Sequence, residues 1–203
     1  MQQYELTQFH EHNPKSVKHI VGRMGYLPST VVEVGVYTGD FTFNMLHTFC
    51  PQVPGYQHFA IDPFVGYSEY DSKQIEDVYS KFQRNLSACT HKDSLKFIKK
   101  PSSIALLELA ASGLQADLIY IDGDHKAGEV LQDMVLSWML LKVGGAMLMD
   151  DSVSWCFTDK HNEKPLQYSP RLAVDSFIQC NWGKVEVLIL PNGYQSAFIK
   201  RGA

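Results

Sequence analysis

The chain is expected to form an α/β domain on a doubly wound, mostly parallel sheet, and three observations point there. From Thr30 onward, short apolar runs alternate with longer amphipathic stretches, the pattern of repeated β-α-β units. Five such runs, at 31–35, 58–61, 95–99, 118–121 and 146–149, read as strands with helices between them. Near the end, two apolar segments flank Pro191-Asn192-Gly193, a hairpin turn signal that makes the final pairing antiparallel. At 203 residues, 45% of them hydrophobic, the chain is long enough to bury one substantial core, so a single globular domain is expected.

An N-terminal helical cap is expected over residues 1–29. Asn13 and Pro14 supply an N-cap and a proline at the first helical position, and Val17, Ile20, Val21 and Met24 then share one face. The main domain follows over 30–203. Its strands are expected at 31–35, 58–61, 95–99, 118–121 and 146–149, with 184–190 and 194–200 as the closing hairpin. Helices should fall between the parallel strands. One begins near Asp40; one covers 69–86, with Ile75, Val78, Tyr79, Phe82 and Leu86 on one side; one covers 127–141, where Val130, Met134, Trp138 and Leu141 form a stripe. The stretch 152–169, mostly polar but carrying Trp155, Phe157 and Tyr168, reads as a long loop over the site.

Composition removes several classes of function. A formal net charge of −4 argues against a general electrostatic grip on nucleic acid. The first residues lack the basic start and apolar stretch of a signal peptide, and the most apolar window is interrupted by Lys142 and Gly144-Gly145, so a cytoplasmic protein without membrane association is expected. Cys50, Cys89, Cys156 and Cys180 form no CxxC pair and suggest neither a structural zinc site nor a redox motif.

In an open parallel sheet, ligands bind beyond the carboxyl ends of the strands, and here those ends are polar. The first strand runs into Glu33-Val34-Gly35-Val36-Tyr37-Thr38-Gly39, where two glycines permit a tight turn ahead of a helix with free N–H groups. The spacing is not the Gly-x-Gly-x-x-Gly of dinucleotide sites. The second strand ends at Asp62, placed to accept from two ribose hydroxyls. The fourth ends at Asp122-Gly123-Asp124-His125 and the fifth at Asp150-Asp151. Converging like charges disfavour joint ionisation unless a cation is present, and all-oxygen ligands suit magnesium, or manganese in its place. Asp124 has a second reading, as a cap of the helix that starts near Lys126.

These motifs together resemble the class I S-adenosylmethionine-dependent methyltransferases. Residues 31–39 resemble the family's first motif, Ala60-Ile61-Asp62-Pro63 its ribose-binding acid, and Leu141-Lys142-Val143-Gly144-Gly145 its late turn before the fifth strand, a likeness running from about residue 30 to 200. The resemblance implies a Rossmann-like, seven-stranded fold and S-adenosylmethionine as cofactor. It would place Gly35 and Tyr37 along the cofactor's methionine part, Asp62 on its ribose and Ser102, with Ser103 less favoured, near the adenine, with Gly39 and Asp122 also among the cofactor-binding residues. Glu33 would orient the glycine loop or meet the cofactor's amino end.

The acids refine the resemblance. In magnesium-dependent O-methyltransferases similar to catechol O-methyltransferase, the residue three after the first metal aspartate is the general base, usually lysine. Here it is His125, as in the macrocin-type enzymes that methylate sugar hydroxyls. Asp151 stands where asparagine is usual, and Asp124 where the catechol enzyme has an aromatic residue, so a catechol substrate is not implied. The expected activity is methyl transfer from S-adenosylmethionine to a hydroxyl of a small molecule (sugar, polyketide or phenolic). Magnesium or manganese would be held by Asp122, Asp150 and Asp151, with His125 as base. A metal-dependent hydrolase using Asp122, Asp124 and His125, and a non-catalytic cofactor-binding subunit, are the alternatives. Oligomeric state stays open, a homodimer included.

Overall fold

A seven-stranded sheet in the order β3-β2-β1-β4-β5-β7-β6 organises the molecule. The computed structural model describes residues 12–65, 71–152, 168–191 and 193–202. In chain order the elements are α1 (His12–Met24), β1 (Thr30–Val34), α2 (Asp40–Phe49), β2 (Gln57–Ile61), α3 (Ser72–Ala88), β3 (Leu95–Ile98) and α4 (Ser102–Ala111). They continue as β4 (Ala116–Ile121), α5 (Ala127–Leu140), β5 (Leu141–Met149), α6 (Pro170–Cys180), β6 (Val185–Leu188) and β7 (Ser196–Lys200). Strands β1 to β5 pair in parallel, and β7 lies antiparallel to both β5 and β6. This is the expected Rossmann-like, doubly wound architecture.

Every residue of β4 is buried, which is why its sequence shows no polar alternation. Its side chains nonetheless alternate in direction. Leu118 and Tyr120 join the core under α1, α2 and α3 with Ile20, Phe41, Phe43 and Phe82; Ile119 and Ile121 join the core under α4, α5 and α6 with Met134, Phe177 and Phe198. The β1 connections run outward to β2 on one side, and those of β4 to β5 on the other. The crevice at their carboxyl ends is therefore the topological switch point, where ligands bind in such sheets. Among the described residues, no helix is long and apolar enough to cross a membrane.

Several boundaries depart from the sequence expectation for local reasons. Strand β1 stops at Val34 because Gly35 turns out at φ 86°. Helix α3 starts at Ser72, where Asp71 and Gln74 form a reciprocal capping box. Strand β5 begins at Leu141, five residues before the expected start, with a register irregularity opposite Ala116 and Leu118. Helix α6 was not anticipated; Ser169 precedes its Pro170, and Ala173, Val174 and Phe177 anchor it in the core.

Candidate active site

One cleft of about 630 Å³ opens at the switch point and takes in every site residue expected from the sequence except Gly39. Trp155, Phe157 and most of the 152–169 loop lie outside the described residues.

One side of the cleft is built from β1 and β2. Gly35 has φ 86°, and a Cβ there would stand 1.9 Å from the Asp122 carbonyl oxygen, so glycine permits β1 and β4 to end side by side. Gly39 has φ 92° and begins α2, and a Cβ on it would strike the Phe43 ring at 2.2 Å. Between them Tyr37, also at positive φ (51°), is 38% exposed into the cleft. Asp62 shapes this loop. Its Oδ2 accepts from the N–H groups of Val36 (2.9 Å) and Tyr37 (3.2 Å), and its Oδ1 from that of Phe64 (2.7 Å). The bonds to the N–H groups of Val36 and Tyr37 thus come from Asp62. Glu33 Oε2 instead accepts from Thr42 Oγ1 (2.5 Å) and meets His58 Nε2 (2.7 Å), both buried. Burial pushes the Glu33 carboxyl up, against those two bonds.

At the other end, Ser102 opens α4 and Asp133 faces it from α5. Asp133 is 3% exposed, and its Oδ1 has no hydrogen-bond partner among the described residues. Burial raises its pKa to about 6, opposed by a bond to Ser102 and aided by Glu129 and Asp124. Because the fold favours the neutral acid, this group's contribution to stability is present at low pH and is lost as pH rises from about 4 through about 6. Asp133→Asn, which can still accept from Ser102, is expected to raise unfolding free energy at about pH 8 by about 3 kcal/mol. Denaturant titrations should show that gain shrinking to nothing near pH 4.

The acids gather on the β4 and β5 side. Ligand atoms of Asp122, His125 and Asp151 all lie within 4.8 Å of one another, with His125 Nε2 3.4 Å from Asp151 Oδ2. Asp150 is adjacent but engaged elsewhere, its Oδ1 accepting from the Asp151 N–H (2.9 Å) and its Oδ2 from the Tyr120 hydroxyl. Tyr120 also donates toward Asp122 Oδ2 at 3.0 Å. Burial, then repulsion from Asp150 and Asp151, pushes the Asp122 carboxyl well above the usual carboxylate range; Asp150 is raised by burial and by Asp151. Groups so placed repel one another unless a proton or a cation joins them. Asp124 Oδ1 accepts from the Lys126 N–H at 2.8 Å, a turn ahead of α5, whose own N-cap, Lys126, makes no side-chain cap bond.

A family model described as a methyltransferase domain matches residues 32–152, more than half the chain, from β1 through the acid pair after β5. The chain belongs to that family. No curated protein matches this methyltransferase in sequence. Among solved structures it is similar to cofactor-bound Rv0187 from MTB, with 14% identity and a TM-score of 0.66 over 98% of this chain and 85% of that one. It is also similar to an O-methyltransferase from Bacillus cereus in complex with SAH (12%, 0.65, 98% and 84%). A third is CalS11, a TDP-rhamnose 3′-O-methyltransferase of calicheamicin biosynthesis (12%, 0.61, 93% and 78%). At such identities the likeness is one of fold. The methyltransferase domain carries the glycine loop on β1 and the acids on β4 and β5, on the two sides of the switch point. Sequence reasoning gave Asn13 only a capping role, whereas it lies inside α1, and gave Tyr120, Asp133 and Tyr194 no role in the site; all four line the cleft.

Proposed function

We propose that this methyltransferase transfers the methyl group of S-adenosylmethionine to a hydroxyl of a small molecule, assisted by a divalent cation, magnesium or manganese. The observation that carries the reading is the meeting, in one cleft, of the Asp62-buttressed glycine loop with the Asp122, His125 and Asp151 group. The O-methyltransferase identity of two structural neighbours, one of them with SAH, agrees with it.

The chain's residues suit both partners. Gly35, Tyr37 and Gly39 would follow the cofactor's methionine part and Glu33 its amino end, while Asp62 retains lone pairs toward a ribose and Ser102 lies at the adenine end. Asp122, Asp150 and Asp151 would hold the cation, and the raised pKa values of Asp122 and Asp150 mark a charge that the protein alone does not neutralise. When bound, the cofactor supplies an electrophilic methyl group and the cation a positive charge that acidifies a nearby hydroxyl. The His125 ring takes the acceptor's proton, and Asp151, 3.4 Å from Nε2, favours the charged imidazolium that results. The cleft then holds acceptor and methyl donor together, and this positioning supplies much of the rate.

The test is a labelled-methyl transfer assay with sugar, polyketide and phenolic hydroxyl acceptors, run with magnesium and with excess chelator, beside calorimetry with S-adenosylhomocysteine. Turnover that needs both cofactor and cation is expected. Full activity in chelator would remove the cation from the reading, and no binding of S-adenosylhomocysteine would remove the cofactor.

A further inference from the structure

Behind the acids runs a chain of buried hydrogen bonds that starts on α1. Ser16 Oγ donates to Gln195 Oε1 at 2.6 Å, Gln195 Nε2 donates to Asn13 Oδ1 at 2.6 Å, and Asn13 Nδ2 donates to the Tyr120 oxygen at 3.3 Å. Tyr120 in turn reaches Asp122 Oδ2 at 3.0 Å and Asp150 Oδ2. All four relay residues are nine-tenths or more buried, at 0% exposure for Ser16, 4% for Gln195, 8% for Asn13 and 1% for Tyr120.

The chain has a direction. An amide presents its oxygen on one side and its N–H groups on the other. With its oxygen turned to Ser16, Gln195 presents N–H to Asn13; Asn13, its own oxygen so occupied, presents N–H to Tyr120. The phenol oxygen therefore accepts from Asn13, and its single hydrogen is left for the two carboxylates. The ring cannot swing away, because it stacks on Phe41 with centroids 4.0 Å apart and planes 15° from parallel.

We propose that Tyr120, oriented by Asn13, is a positioning residue that pins Asp150 against Asp122 and so sets the affinity of the acid cluster for a divalent cation. This rests on the cation reading given above. One phenol oxygen within reach of both carboxylates fixes how far apart they stand, and the outer partners of ligating carboxylates govern metal affinity by about 10–100-fold. Helix α1 thereby becomes part of the site: its first turn holds the amide that orients the phenol.

Manganese binding, followed by electron paramagnetic resonance on the full chain, tests this with two nearly isosteric variants. Tyr120→Phe keeps the ring on Phe41 and loses the hydroxyl. Asn13→Asp replaces the amide donor with an acceptor that draws the phenol hydrogen away from the acids. Both are expected to weaken manganese binding by about tenfold or more while S-adenosylhomocysteine affinity, measured in parallel, stays within about threefold. The second variant is the sharper one, because an added negative charge by itself would tighten cation binding. Wild-type manganese affinity in Tyr120→Phe, or tighter binding in Asn13→Asp, would overturn the proposal. A wild-type protein that binds S-adenosylhomocysteine but no manganese would instead overturn the cation reading beneath it.

Discussion

Replacing His125 with alanine is expected to lower turnover by about two to four orders of magnitude, the usual worth of a positioned general base, with S-adenosylhomocysteine and manganese affinities within about threefold of wild type. The residue lies in the loop between β4 and α5 with its side chain 31% exposed, outside both cores, so its loss removes chemistry and leaves the fold. The arrangement gives the imidazole two candidate roles. Its nitrogen is near enough to Asp122 and Asp151 to join them around a cation, and near enough to the open cleft to take a proton. One nitrogen cannot hold a metal and accept a proton together. Magnesium prefers oxygen, whereas manganese tolerates imidazole more readily, so the metal readout separates the roles. A fall in kcat with manganese affinity unchanged assigns the base. A tenfold loss of manganese affinity assigns a ligand and overturns the base.

The parts of this site that were legible in the sequence are those whose signals are local. A glycine loop after an apolar strand, an acid at a strand end and an Asp-Asp pair after a Gly-Gly turn each announce themselves within a few residues. What stayed hidden depends on register. Glu33 meets His58 because β1 and β2 align Glu33 with Ala60 and Val31 with His58, bringing both side chains to one face. No window of sequence shows that pairing. Tyr120 reads as one more core residue in Leu118-Ile119-Tyr120-Ile121. Its hydroxyl gains meaning only when β5 places Asp150 beside it and α1 brings Asn13 from more than a hundred residues away. Gly145 read as part of a turn, yet it lies inside β5, where a Cβ would stand 2.9 Å from the Asp117 carbonyl oxygen. That glycine serves close strand packing, and the strand starts earlier than its apolar run suggests.

Gly35→Ala should be the most destabilising single-methyl change in the site. Two costs combine. The residue holds φ 86°, which a side chain adopts at a cost of about 1–3 kcal/mol. The added carbon would also stand 1.9 Å from the Asp122 carbonyl oxygen and 2.8 Å from Gly123 Cα, both backbone atoms. They cannot retreat freely, because the Asp122 N–H is bonded to the Val34 carbonyl at 2.8 Å, and the Gly35 N–H to that of Ile61 at 2.9 Å. A loss of about 4 kcal/mol or more is expected, or roughly 8–16 °C in melting temperature for a domain of this size. Gly55→Ala is the internal control: φ is 76° there too, but nothing lies within 4 Å of the added carbon, so conformational strain acts alone and about 1 kcal/mol is expected. Equal melting temperatures for the two variants would show that the contact with Asp122 is not tight. If the difference appears, whatever folded Gly35→Ala survives must have moved the end of β1 or the end of β4. Since the first carries the glycine loop and the second Asp122, affinities for S-adenosylhomocysteine and manganese should then fall together, which no substitution confined to one half of the cleft would do.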